Sequence, residues 1–187
     1  LGSARKNFLS SYAYNLMVIN YLQTMKNPIL PSFQAIRKED ENHEEEIKLV
    51  RNHEKGASIK DTYKVRVDYE DDMDVIRDYM REHGFKENKK TVIQLLKGFF
   101  KFYKNKKKFE KITLSVKEGS HRERKAESNE INYLYSIEDP FDIKHNPGKY
   151  LTEKHVNSEK MLRLMRYSYR LLKEKKVMNI FKRFDDE

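Results

Sequence analysis

The chain has 187 residues, of which 37% are hydrophobic, 12% aromatic and 37% charged, and its formal net charge is +9. This length suits one domain with a core of its own, and the apolar share is large enough to build that core. The absence of cysteine excludes disulfide bonds and thiolate zinc sites, and no apolar run approaches the roughly 20 residues of a membrane span. The positive charge favours a polyanionic partner, and nucleic acid suits it better than membrane because no amphipathic basic helix stands out.

The first predicted element is a helix over residues 8–24. Its apolar side chains cover almost the whole circumference, which predicts a buried helix, and Ser10 with Ser11 is the polar interruption. Prolines at 28 and 31 end it. Residues 36–63 are dominated by charge, so composition predicts a solvated, flexible insert, with a weak strand signal over 63–67.

Two more helices follow the insert. One is predicted to begin near Asp71 and to end at Gly84. The next is capped by Asn88 or Thr91 and carries an apolar stripe over 92–103. Because glycine is unfavourable inside a helix, Gly98 predicts a close approach by another element.

Alternating apolar residues then predict strands at 112–116 and 131–137, joined by a polar loop over 118–130. We expect these two runs to pair antiparallel. A last helix, capped by Asn157 or Ser158, carries a stripe over 162–176 that is flanked by Arg and Lys. The predicted fold class is mainly α, an α+β arrangement of helices with a small antiparallel sheet.

Most of the candidate chemistry lies in the stretch IEDPFDIKHNPGK, residues 137–149. Its two prolines and its glycine prevent one long helix, so it is predicted to be a shaped loop that presents Asp139, Asp142 and His145. Two carboxylates and an imidazole at this spacing suit a metal site, an acid/base pair or a hydrogen-bonding edge for a ligand. A turn whose aspartates cap backbone groups is the alternative without function.

The sequence IEDPFDIKHNPGK resembles the nucleotide-recognition motif of the PAP-associated domain in noncanonical poly(A) polymerases and terminal uridylyltransferases. The stretch FLSSYAYNLMVINYLQ, residues 8–23, resembles the helix of those enzymes that carries a base-stacking tyrosine, and TVIQLLKGFFKFY resembles their core helix. The motifs occur in the family's order. The resemblance implies that residues 1–187 are the central and PAP-associated part of such an enzyme, with 36–63 as an insert.

Residue by residue, the resemblance implies that Tyr12 stacks on the base of a nucleoside triphosphate and that Ser11 contacts its phosphates. Asp139, Asp142 and His145 would then read the base, and a histidine at this position is associated with UTP rather than ATP. Without the resemblance, Tyr12 is one more core aromatic and His145 a satisfied loop residue.

The basic residues Lys104, Lys106, Lys107 and Lys149 are candidates for contacts with RNA phosphates, although a lysine run is usually a solvated face. The family transfers nucleotides with Mg²⁺ or Mn²⁺ held by aspartates of a separate catalytic domain, which begins with a Gly-Ser motif and a D-x-D pair. The aspartates at 71, 72 and 74 do not fit that arrangement, because no Gly-Ser turn after a strand precedes them and they lie in a helix-like context downstream of the tyrosine helix, which is the wrong order. We therefore expect no catalytic residue and no activity in this chain alone, and a catalytic domain on a missing part of the chain or on another chain.

The sequence thus predicts the nucleotide-recognition half of an RNA terminal uridylyltransferase, which adds UMP from UTP to an RNA 3′ end. Two alternatives remain open: a poly(A) polymerase that uses ATP, and a non-catalytic RNA-binding or scaffold domain. The expected partners are an RNA 3′ end and a nucleoside triphosphate, without a membrane. The start, LGSARKN, lacks the apolar region of a signal peptide, so an intracellular location is expected, in the cytoplasm, nucleus or mitochondrion.

Overall fold

The computed structural model describes residues 8–37, 44–49, 61–66, 68–124, 133–142, 145–152 and 155–176. Within these ranges the chain is mainly helical with a small sheet, which confirms the predicted fold class. The elements in chain order are α1 (Ser11–Thr24), α2 (Phe33–Ile36), β1 (Glu44–Leu49), β2 (Asp61–Arg66), α3 (Met73–Glu82), α4 (Val92–Tyr103), α5 (Lys106–Phe109), β3 (Ile112–Ser115), β4 (Ser120–Glu123), β5 (Ser136–Ile137) and α6 (Val156–Lys173).

Local sequence signals set most helix boundaries. Thr91 and Gln94 form a capping box at the start of α4, and Asp72 caps α3, which ends just before Gly84 at φ 70°. The prediction for α6 was wrong: His155, whose Nδ1 accepts from the Asn157 amide, is its cap. Histidine is not among the usual capping residues, which is why the sequence pattern missed it.

Helix α1 is not buried on all sides, contrary to the prediction. One face packs into the core, but Tyr12 is 39% exposed and Val18 is 43% exposed. The apolar residues of α1 therefore lie on two faces of the helix, one packed against the core and one exposed. Only the packed face is explained by core burial.

The three-stranded sheet has the order β4-β3-β5 and is mixed. Strand β3 pairs antiparallel with β4 and parallel with β5. The predicted antiparallel pairing of 112–116 with 131–137 is therefore wrong. Gly119, at φ 61°, lies in the turn that folds the chain back directly after β3, and this turn brings β4 onto the antiparallel edge. Strand β5 lies on the other edge, in the parallel direction.

Residues 36–63, predicted as a charged insert, include a strand that composition did not indicate. The backbone of β1 pairs antiparallel with that of β2, from Glu44 opposite Arg66 to Leu49 opposite Asp61. The weak strand signal over 63–67 corresponds to β2. Ile131, from the second alternating run, lies outside the described residues.

The core joins α1, α4, α6 and the β3 sheet. Two tyrosines are wholly buried and satisfy their hydroxyls on backbone: Tyr103 donates to the Met17 carbonyl (2.8 Å), and Tyr135 donates to the Tyr103 carbonyl (2.7 Å). At Gly98, a Cβ would lie 1.9 Å from the Tyr21 hydroxyl, so the predicted close approach is confirmed. None of the helices in the described part of the chain is long and apolar enough to cross a membrane.

Candidate functional site

Asp139 connects helix α1 with the loop that follows β5. It is 7% exposed, and its Oδ1 accepts from the Tyr12 hydroxyl (2.9 Å) and from the Phe141 amide (3.0 Å). Its Oδ2 lies 2.9 Å from His145 Nδ1. A tyrosine at the start of α1 and a histidine in the 138–149 loop therefore meet at one buried carboxylate.

The contact with Asp139 fixes Tyr12 as a hydrogen-bond donor. Partial burial of the phenol, together with its hydrogen bond to Asp139 and the negative charges of Asp139 and Asp142, raises the pKa of Tyr12 well above its ordinary value. The hydroxyl stays protonated at neutral pH. Because Tyr12 is also partly exposed, part of its ring surface is open to a ligand while its hydroxyl is tied down.

The same carboxylate orients the His145 ring. A carboxylate can only accept, so Nδ1 carries the proton and donates to Oδ2. This leaves Nε2 as the ring nitrogen available to a ligand, and about a third of the side chain is exposed (36%). In the neutral ring Nε2 accepts a hydrogen bond, whereas in the protonated ring it donates one.

The loop that carries His145 is braced by Asn146, which sequence reasoning did not single out. Its Oδ1 accepts from the Gly148 amide (2.8 Å) and from the Ile137 amide (3.1 Å). A Cβ at Gly148 would lie 1.9 Å from the Tyr135 carbonyl oxygen, so only glycine allows this approach. The sequence Asn-Pro-Gly predicts a turn. It does not predict the hydrogen bond from Ile137 of β5 to Asn146, which is a tertiary contact.

Helix α1 is fixed against the sheet two turns beyond Tyr12. Asn20 is fully buried, and its Nδ2 donates to the Ser115 and Ser120 carbonyls, both at 3.1 Å. Its Oδ1 faces His121 Nε2 at 3.1 Å. Burial, with the charge of Lys108, lowers the pKa of His121 to about 4, so this ring is neutral and donates to Asn20.

Gln23 continues the attachment one turn later, with Nε2 donating to the Val116 carbonyl (3.1 Å) and to the Pro31 carbonyl (3.2 Å). Tyr12, Leu16, Asn20 and Gln23 are spaced for one side of a helix. The polar anchors therefore set the register that places Tyr12 opposite Asp139.

Two other predicted residues lie around this cluster. Ser11 is exposed at the first position of α1, while the neighbouring Ser10 is occupied in capping the helix through the Ala13 amide. The Asp142 carbonyl accepts from the His145 amide (2.9 Å), and its carboxylate is close enough to raise the pKa of Tyr12.

The predicted phosphate-binding lysines are scattered and mostly engaged. Lys104 Nζ lies 4.0 Å from the centre of the Tyr169 ring, and Lys149 Nζ lies 5.4 Å from that of Tyr150. Lys106 faces Glu110 at 3.7 Å and Glu159 at 3.9 Å. Lys107 is exposed. Only the last presents its charge without a neighbouring ring or carboxylate among the described residues.

Metal binding is not supported by the part of the chain that the structure describes. No group of three or more His, Asp or Glu side chains there is arranged to hold an ion. Asp139 and His145 bind each other directly, Asp72 caps α3, and Asp74 pairs with Arg77 at 2.8 Å. The described residues therefore do not fit the metal ions that the family uses.

Comparison with known proteins agrees with the sequence resemblance. Residues 91–145 match the family model described as Cid1 family poly A polymerase. Human terminal uridylyltransferase 7 is 31% identical over 157 residues, which cover 84% of this chain and 9% of that protein. The poly(A) RNA polymerase cid13 of Schizosaccharomyces pombe is 27% identical over 174 residues, which cover 89% of this chain and 26% of that protein. This chain thus corresponds to a minor part of each relative.

Solved structures show the same fold. The Cid1 poly(U) polymerase, in a mutant bound to MgATP, superposes with a TM-score of 0.64 at 24% identity, over 93% of this chain and 46% of that one. The structure of mtPAP in complex with UTP gives a TM-score of 0.62 at 21% identity, over 92% of this chain and 32% of that one. At these identities the likeness establishes the fold.

Proposed function

The chain belongs to the Cid1-like family of poly(A) polymerases and terminal uridylyltransferases, and we propose that it forms the base-recognition wall of an RNA terminal uridylyltransferase. The parent enzyme adds UMP from UTP to an RNA 3′ end. The observation that carries the proposal is the meeting of Tyr12 and His145 at Asp139. It puts an aromatic ring and an imidazole nitrogen beside each other, one for stacking and one for hydrogen bonding. We call these three residues the nucleotide-recognition site.

In this proposal Tyr12 supplies affinity and His145 supplies selectivity. Every base has a π face, so stacking on Tyr12 contributes about 1–3 kcal/mol without distinguishing bases. Three donors already contact the Asp139 oxygens, two on Oδ1 and one on Oδ2, so we assign this carboxylate to positioning in place of the expected direct contact with the base. It is a positioning residue that holds the tyrosine hydroxyl and selects the His145 nitrogen that faces the ligand.

Uracil is suited to both states of His145 Nε2. The protonated ring donates to the uracil O4 acceptor, and the neutral ring accepts from the uracil N3–H donor. Adenine offers an amino donor beside a ring acceptor, so the protonated ring rejects its amino group. The neutral ring, with its proton on Nδ1, accepts from that amino group. This feature favours the second candidate function, a poly(A) polymerase that uses ATP.

The nucleotide-recognition site does not bind the phosphates or the metal in this proposal. Ser11 lies at the amino end of α1, where free backbone amides attract negative charge, and we assign it to the triphosphate. Mg²⁺ or Mn²⁺ would be held by residues outside the described part of this chain, in a catalytic domain on a longer chain or a partner. The reaction takes place inside the cell, in the cytoplasm, nucleus or mitochondrion, wherever its RNA is processed.

Nucleotide incorporation by the longer protein, including its catalytic domain, tests the proposal. Wild type should extend an RNA primer with UTP in preference to ATP, and His145→Ala should reduce that preference by tenfold or more, or about 1.4 kcal/mol. His83→Ala is the matched control, because His83 is exposed at the carboxyl-terminal cap of α3 and stacks on Tyr79. Preferential use of ATP by wild type would establish the poly(A) polymerase instead. No incorporation of either nucleotide would favour the non-catalytic RNA-binding domain.

A further inference from the structure

Helix α6 presents three arginines that the nucleotide-recognition site does not use. Arg163, Arg166 and Arg170 are exposed at spacings of three and four residues, so they form one side of the helix. Together with Tyr167 they line an open pocket of about 360 Å³. We call these four residues the arginine face. The Arg170 guanidinium lies 5.2 Å from the centre of the Tyr167 ring.

The charge of the arginine face is not neutralised by the residues that the structure describes. No carboxylate among them lies within 4.0 Å of these three guanidinium groups. The exposed arginines of α3 differ in this respect, because Arg77 pairs with Asp74 at 2.8 Å and Arg81 with Asp78 at 2.9 Å. Both helices expose arginines, but of the two only α6 has arginines without a carboxylate partner, so those guanidinium groups can bind an anion.

We propose that the arginine face binds the phosphate backbone of single-stranded RNA. At about 1.5 Å of rise per residue, the outer arginines are about 10 Å apart along the helix, enough to contact two phosphates of one strand. Guanidinium groups bind phosphate oxygens bidentately, and Tyr167 between them offers a ring on which a base can stack. The choice of RNA rests on the proposed function, which requires an RNA substrate.

The surroundings of the face favour RNA over a lipid surface. A helix that binds membranes inserts large apolar side chains beside its basic residues. Met161, Leu162 and Met165 of α6 are instead buried in the core, and Val156, which is 64% exposed, lies two turns before Arg163. The exposed side offers arginine and tyrosine, a combination typical of contacts with nucleic acid.

Fluorescence anisotropy with a labelled oligouridine, measured on the 187-residue chain over a series of salt concentrations, tests the proposal. The double variant Arg163→Gln/Arg166→Gln should lower the affinity by about tenfold at low salt. It should also reduce the slope of log affinity against log salt by about 1.4, since each phosphate contact on a single strand contributes about 0.7. Tyr167→Ala should weaken binding without changing the slope.

Arg77→Gln/Arg81→Gln is the matched control, because it removes two exposed arginines that already pair with aspartates. Equal affinity and slope for the two double variants would overturn the proposal, as would binding of polyglutamate or anionic vesicles in place of RNA. Failure of the base-preference test while Arg163→Gln/Arg166→Gln still loses RNA would contradict the proposed function alone. His145→Ala should bind the oligouridine as wild type does.

Discussion

The nucleotide-recognition site and the arginine face are built in opposite ways. Tyr12 and Asp139 are 127 residues apart in the sequence and meet only because α1 docks against the sheet. The arginine face lies within eight consecutive residues of one helix and exists wherever that helix forms. The first is a tertiary site with a buried carboxylate, and the second is a local surface of solvated charge.

This difference predicts different sensitivities. Base recognition should depend on residues far from the ligand, because any shift of α1 moves Tyr12 relative to His145. Backbone binding by the arginine face should depend on charge and salt and should tolerate changes elsewhere in the core. Substitutions at three positions, Asn20, Asp139 and Tyr12, test the tertiary site and leave the arginines of α6 unchanged.

The largest effect is expected from Asn20→Ala. Asn20 is buried, and its loss leaves the Ser115 and Ser120 carbonyls without their donor, which should lower the free energy of unfolding by about 2–4 kcal/mol. Denaturant unfolding of the chain measures this. Asn15→Ala, an exposed position of the same helix, should change it by less than about 0.5 kcal/mol. Equal stability of the two variants would show that α1 is not anchored through Asn20.

A large effect confined to the nucleotide is expected from Asp139→Asn. All three partners of this carboxylate are donors, so the amide nitrogen of Asn must face one of them, and it keeps Tyr12 or His145 only if that side chain turns to accept, which for His145 moves the proton to Nε2. The KM for UTP in primer extension by the longer protein should rise by about 10- to 100-fold. Asp74→Asn, on exposed α3, serves as control. Oligouridine binding through the arginine face should stay unchanged, and a parallel loss would contradict the separation of the two sites.

The smallest effect is expected from Tyr12→Phe, and comparison with Tyr12→Leu divides the role of the ring from that of the hydroxyl. Tyr12→Phe keeps the stacking surface and loses the hydrogen bond to Asp139, so the KM for UTP should rise by less than about tenfold. Tyr12→Leu loses the aromatic face as well and should cost a further 1–3 kcal/mol, or about 5- to 150-fold. If Leu and Phe behave alike, Tyr12 does not stack on the base.

Much of the secondary structure could be predicted from neighbouring residues. Thr91 with Gln94 specified the start of α4, and Gly84 specified the end of α3, because capping is a contact between residues a few positions apart. The parallel entry of β5 could not be predicted. An alternating run indicates a strand but does not give its partner or direction, which depend on the path between strands.

The candidate site followed from a resemblance and not from periodicity. By pattern alone Tyr12 belonged to a buried helix, whereas the structure leaves its ring partly open and ties its hydroxyl to Asp139. Asn20 and Asn146 were passed over because an isolated asparagine has no signal in sequence. Each forms hydrogen bonds with backbone carbonyls or amides of another element, and these partners come within reach only when the elements pack together.

By itself the sequence determined the four longer helices, the loop of 137–149, the positive charge and the basic residues that flank the stripe of α6, because each depends on residue type and on spacing within one or two turns. The tertiary structure decided which of these features act together. It placed Lys104 and Lys106 beside a ring and a carboxylate and left the three arginines of α6 without a carboxylate among the described residues. It also brought Tyr12 and His145 to one carboxylate. The physical reason is that burial and hydrogen bonding at distant positions are settled by packing, where the fully buried Asn20 fixes α1 on the sheet.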